Sequence, residues 1–243
     1  MRNNFLPNLP DRDVKVVVMS TISDELVNNV KSLGIDIIPS SKIEHLLQFE
    51  KYHSDMQIFH YNRDTVFVLK ECTTLQEKLK PYFKNIILPE KCIERKYPDN
   101  VLLNCVSIDD KIICNSNTID NSIKKEISDN KVFNVNQGYT KCSTCVVSND
   151  AIITSDKSIW KATRKDFDVL LIKPGEIELP GTDYGFIGGC SFKINKHTLA
   201  FTGNIKNHSD YENIKAFSLN HNVSLMSLSN KRLLDIGSVI PIR

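Results

Sequence analysis

Long apolar runs are missing from this 243-residue chain. The first aliphatic stretch, Val16 to Met19, is far too short to cross a bilayer. The opening residues MRNNFLPNLPDRD hold two prolines and no apolar centre, so no secretory leader is expected. Charge of one sign is not in excess either: 31 Lys and Arg face 29 Asp and Glu, a net charge of +2. That balance argues against nucleic acid or a membrane surface as a partner held by bulk charge. Cysteine is scarce and odd in number, at seven, which excludes a disulfide scaffold and points to a reducing, cytoplasmic setting. Neither H-E-x-x-H nor G-x-S-x-G occurs, and Gly188-Gly189 lacks the Lys and Ser/Thr of a phosphate loop. No cofactor is implied. Disorder is excluded by aliphatic runs that recur along the whole chain.

What is present is an order of elements that repeats. A β-rich run, a polar turn, a second β-rich run, a helical stretch and a short aliphatic strand follow one another four times. The units open at His53 to Phe59, Val101 to Ile108, Cys142 to Val147 and Phe186 to Ile194. Their turns carry Asn or Asp, as in Asn62-Arg63-Asp64 and Ser148-Asn149-Asp150. A fifth unit is divided between the ends. The N-terminus supplies strand Val14 to Met19, helix Asp24 to Leu33 and strand Ile35 to Ile38, and Arg232 to Ile242 supplies a hairpin. Thr74 to Glu77 and Ser209 to Glu212 read as capping boxes, and Gly34 as a helix stop. Equivalent points near 53, 104, 142, 189 and 235 are 51, 38, 47 and 46 residues apart, each one supersecondary unit. Five such units closing through both termini predict an α/β fold, a five-bladed propeller of ββαβ units spanning residues 1–243 as one domain. The competing interpretation is an ordinary α+β domain with coincidental alternation.

The unit starts are polar for segments that lead into a core. They hold His53-Ser54-Asp55, Asn104-Cys105, Lys141-Cys142-Ser143-Thr144-Cys145, Gly188-Gly189-Cys190 and Leu234-Asp235-Ile236-Gly237-Ser238. On a strand, His53 and Asp55 share one face. A carboxylate beside an imidazole raises its basicity and fixes its orientation, and a thiol brought near could ionise.

These residues resemble the pentein fold of guanidino-group-modifying enzymes: arginine deiminases, amidinotransferases and dimethylarginine hydrolases. His53-Ser54-Asp55 with the Asn62-Arg63-Asp64 turn resembles that family's H-x-D strand. Gly138-Tyr139-Thr140-Lys141-Cys142 resembles the approach to its nucleophilic cysteine, and Leu234-Asp235-Ile236-Gly237 its acidic strand. The circular order of the three motifs agrees if the chain is a circular permutation. The resemblance implies catalysis by Cys142, His53, Asp55 and Asp235 on a guanidine- or amidine-type small molecule through a covalent thio-intermediate. Asn104, Lys141, Asp183 and Cys190 are the candidate substrate-binding residues, and residues 179–185 the candidate lid. Two positions depart from the pattern. Asp235 stands where Glu is common, and Ile187-Gly188-Gly189-Cys190 has no charge where the family places a guanidinium-binding carboxylate.

Other interpretations stay open on residues alone. Cys142 could be a buried small hydrophobe, or Cys145 the reactive thiol. Cys142-x-x-Cys145 could be a redox pair, or a zinc site completed by Cys105 and Cys190; no metal is the expectation. The whole could be a non-catalytic pentein that binds or scaffolds, as a ribosome anti-association factor of the wider fold does.

Overall fold

The computed structural model describes residues 6–243; part of the opening segment read above, residues 1–5, lies outside them. In chain order the elements are β1 (Val16–Met19), α1 (Asp24–Ser32), β2 (Asp36–Pro39), α2 (Ser54–Gln57), β3 (Ile58–His60), β4 (Thr65–Val68), α3 (Thr73–Leu79) and β5 (Asn85–Ile87). Then come β6 (Val106–Ile108), β7 (Lys111–Cys114), α4 (Asn121–Glu126), β8 (Lys131–Asn134), α5 (Thr140–Ser143), β9 (Cys145–Val146), β10 (Ala151–Thr154), α6 (Lys157–Thr163) and β11 (Asp168–Leu171). A 3-10 turn (Gly188–Cys190), β12 (Ser191–Asn195), β13 (Thr198–Phe201), α7 (Tyr211–Asn220), β14 (Ser224–Ser227) and β15 (Ile240–Pro241) complete the chain.

The strands form five three-stranded sheets: β3-β4-β5, β6-β7-β8, β9-β10-β11, β12-β13-β14 and β15-β1-β2. In each, the first strand is antiparallel to the middle one and the third is parallel to it. The fifth sheet joins the two ends of the chain, as the order of elements predicts. Burial falls along each sheet. Inner β3, β6 and β9 and middle β1, β4 and β10 are buried throughout and are mostly apolar. Outer β2, β8, β11 and β14 are largely exposed or half-buried. Hydrogen bonds link each unit to the next: Ser107 Oγ to the Tyr61 carbonyl, Lys111 Nζ to the Asn149 carbonyl, Lys193 Nζ to the Val147 carbonyl, and Val14 N to the Ile194 carbonyl. His60 Nδ1 meets the Pro241 carbonyl at 3.0 Å, which returns the series to its start. The architecture is mixed α/β, built on five three-stranded sheets.

Caps explain the helix limits. Ser23 Oγ accepts from Leu26 N at the start of α1, and Asp156 accepts from Ser158 and Ile159 N at the start of α6. Gly34, at φ +73°, stops α1 in the left-handed conformation open to glycine. Neither expected capping box forms. Helix α3 starts at Thr73 with Cys72 as its cap, and α7 has Asp210 rather than Ser209 at its cap position, with the Asp210 carboxylate turned to Lys173 N and Asn213 and the Ser209 hydroxyl to Glu176.

The unit starts also differ from expectation. His53–Phe59 and Cys142–Val147 are not continuous strands: residues 54–57 and 140–143 are single helical turns, and residues 188–190 a 3-10 turn. Five extended segments converging on one hub would leave backbone N–H groups without a ladder partner; turning back satisfies them locally. The C-terminal segment makes one bridge, Leu234 to Glu178, and the short β15, rather than a hairpin.

Candidate active site

The hub turns place polar side chains where a core would be apolar. His53 caps α2, and Asp55 sits in its first turn, with its N–H bonded to the Gly237 carbonyl. Cys142 sits in α5. Cys142 Sγ lies 2.8 Å from Asp55 Oδ2, and Ser238 Oγ donates to the same oxygen at 2.6 Å. One ligand atom each from His53, Asp55 and Cys142 all lie within 4.8 Å of one another. His53 and Asp55 therefore meet as the H-x-D spacing suggests, but through a helical turn rather than a strand face. Asn104 fastens this floor: its Nδ2 donates to the Asp55 carbonyl at 3.2 Å and its Oδ1 accepts from Lys141 N at 2.6 Å.

Asp235 is held by two backbone donors, Gly237 N on Oδ1 and Phe186 N on Oδ2, both at 2.9 Å. It explains the uncharged fourth unit. A Cβ on Gly189 would fall 2.0 Å from Asp235 Oδ1, so the carboxylate of the fifth unit fills the space a side chain of the fourth would need. A Cβ on Gly237 (φ +74°) would fall 2.2 Å from His53 Cβ, so that glycine lets the fifth unit press against the imidazole.

A cavity of about 330 Å³ opens over these groups. His53, Cys142 and Asp235 line it, with Asp183 and Leu179 from the candidate lid. Lys141 does not line it. The Lys141 side chain is buried behind the cysteine turn, with Nζ 3.4 Å from Ser238 Oγ. Cys190 turns away, with Sγ 3.4 Å from the Ile187 carbonyl, inside an apolar cluster. Cys145, also in that cluster, starts β9.

Sequence reasoning missed Glu50, Tyr139 and Phe186, all of which line the cavity. Glu50 is 1% exposed and accepts from Asn100 Nδ2 at 3.0 Å and Tyr139 Oη at 2.7 Å. The Tyr139 ring stacks between Tyr97 and Phe186.

Burial sets the protonation of the site. It pushes the Cys142 thiol well above its ordinary value, and the Asp55 and Asp235 charges push it further. Burial lowers His53 against the opposing pull of Asp55, which favours the neutral imidazole. It raises Asp55, partly offset by His53, and takes Asp235 up to about 6. Cys142 at rest is thus a thiol hydrogen-bonded to the Asp55 side chain. A cation entering the cavity would offset the negative charge that holds the proton on sulfur. The N, O and S donors of His53, Asp55 and Cys142 also have the spacing of a three-ligand metal site. Cys105 and Cys190 take no part in that cluster.

The chain is similar to proteins of one fold. The model of a family of unknown function (DUF6873) matches residues 17–240. No curated protein matches. Among solved structures, the inosamine-phosphate amidinotransferase of Streptomyces griseus superposes with a TM-score of 0.63 at 8% identity, over 99% of this chain and 97% of that one. DDAH from Pseudomonas aeruginosa, solved with citrulline, gives 0.57 at 10% identity over 89% and 92%. The C. jejuni agmatine deiminase gives 0.56 at 9% identity over 92% and 90%. At these identities the likeness is one of fold, the pentein fold.

Proposed function

The chain belongs to that family of unknown function, DUF6873, and on this premise we propose that it is a cysteine-dependent hydrolase or transferase acting on a guanidine- or amidine-type small molecule. The observation that carries the reading is the approach of Cys142 Sγ, the Asp55 carboxylate and the His53 imidazole to within 4.8 Å beside a carboxylate-lined cavity. Asp55 and Asp235 attract the cation, and its charge favours loss of the thiol proton. His53, beside Asp55, takes that proton. Sulfur forms a bond to the central carbon, whose C=N electron pair moves to nitrogen. The tetrahedral species collapses, breaking one C–N bond, and the leaving amine or ammonia takes a proton from His53. Water, giving a proton back to the imidazole, adds to the S-linked amidinium. The C–S bond then breaks and frees the product and the thiol. An amine in place of that water makes the reaction a transfer. The reading includes one domain working in a reducing, cytoplasmic compartment; all seven cysteines are free, and no helix among the described residues is long and apolar enough to cross a membrane.

A second reading, a non-catalytic binding module, draws on the suppressed resting thiol. Chloroacetamidine separates the two: sulfur displaces chloride, leaving an amidine adduct visible by mass. The catalytic reading expects an adduct on Cys142 in preference to exposed Cys92, slowed about tenfold or more in His53→Ala as a general base is lost. Labelling of Cys92 alone, indifferent to that substitution, supports the binding module.

A further inference from the structure

Glu50 is a buried acid with half its hydrogen-bonding capacity unused. Oε1 receives both Asn100 and Tyr139, while Oε2 has no partner. A buried carboxylate oxygen without a donor is costly, and such groups in native proteins commonly await a water, an ion or a ligand. Glu50 lines the cavity beside the stacked rings of Tyr139 and Phe186. The cavity wall carries three carboxylates, Glu50, Asp183 and Asp235, and among the described lining residues no Lys or Arg. The buried ammonium nearest this machinery, Lys141, is directed at Ser238 behind the cysteine turn. A ligand carboxylate would meet like charges and no counter-ion; a second ligand cation would meet an acceptor already in place.

We infer that Glu50 anchors a second cationic group, so that the ligand class of this cavity is a guanidine or amidine bearing an amine at its far end and no carboxylate. This rests on the proposed function only in taking the cavity as a guanidine site. The amine donates to Glu50 Oε2, and the guanidinium lies toward Cys142.

Calorimetry on the full chain with Cys142→Ala, which prevents turnover, tests it with three probes: agmatine, n-butylguanidine and L-arginine. Agmatine should bind about tenfold more tightly than n-butylguanidine, the scale of one charge-assisted hydrogen bond, with L-arginine weakest. Adding Glu50→Gln should erase the advantage of agmatine while n-butylguanidine stays within about twofold. Equal affinity of agmatine and n-butylguanidine, L-arginine binding as well as agmatine, no binding of any probe, or an advantage that survives Glu50→Gln each overturns the inference. If Glu50→Gln does not fold, the ranking of the three probes on Cys142→Ala alone decides. Failure of the catalytic reading would show elsewhere, as absence of the chloroacetamidine adduct, and a protein that ranks the probes as expected without forming that adduct keeps this inference and loses the other.

Discussion

Two hub turns, Thr140–Ser143 and Gly188–Cys190, open successive units, each holds a buried cysteine, and they pack directly together: a Cβ on Gly188 would lie 2.3 Å from the Lys141 carbonyl. Burial raises both thiols. Their surroundings differ. Cys142 Sγ meets Asp55 and lines the cavity, whereas Cys190 Sγ faces the Ile187 carbonyl among Cys145, Val147 and Leu199. Position in the repeat does not set a cysteine's surroundings; the side chains lent by other units do. The first unit lends Asp55 and His53, the second Asn104, the fifth Asp235 and Ser238.

The sharpest way to break that contrast is to remove each thiol. Cys142→Ser should abolish the chloroacetamidine adduct at the hub, and Cys190→Ser should leave its rate within about twofold because that thiol does not reach the cavity. An adduct on Cys190 by peptide mass would erase the distinction between the turns. A smaller effect is expected from the glycine beside Cys190. Gly189→Ala must displace the Asp235 carboxylate, costing about 2–4 kcal/mol and lowering the melting temperature by roughly 4–16 °C. Gly175→Ala, at φ +94° with nothing within 4 Å of the added carbon, should cost only the backbone strain, about 1 kcal/mol. Equal melting temperatures for the two variants would mean that the fourth turn does not brace the acid of the fifth. Smaller still is the pH effect. Asp235 loses its charge as pH falls through about 6, so agmatine affinity for Cys142→Ala should fall severalfold between pH 7.5 and 5. A flat profile would remove Asp235 from cation capture.

Much of this contrast was legible in the chain. Middle strands such as Val66-Phe67-Val68 and Ala151-Ile152-Ile153 are apolar because both faces are covered, and their Asn and Asp turns mark each return. The split fifth unit followed from counting elements. The hub turns were not legible, because a turn of three or four residues is too short for helical periodicity to declare itself, and the runs that contain them read as strand. The hairpin expected at Arg232 to Ile242 failed for a related reason: Leu234 pairs with Glu178, a partner 56 positions away that no local pattern names. Glu50 escaped notice because it precedes the first unit in a stretch without periodicity, and its partners Asn100 and Tyr139 come from other units. Ile187-Gly188-Gly189-Cys190 carries no charge where the family places a carboxylate, and the crowding of Gly189 by Asp235, which leaves no room for a side chain there, was not legible in the chain.

Carboxylates around Cys142 suppress its thiol at rest and, on the proposed function, favour a cationic partner. The direct measurement is the labelling rate of Cys142 with chloroacetamidine against chloroacetamide, a neutral molecule of nearly the same shape, each normalised to Cys92 in the same sample. The cation preference at Cys142 should be at least about tenfold above that at Cys92 and should be lost in Asp55→Asn. The same preference at both cysteines, or one that persists in Asp55→Asn, would contradict it.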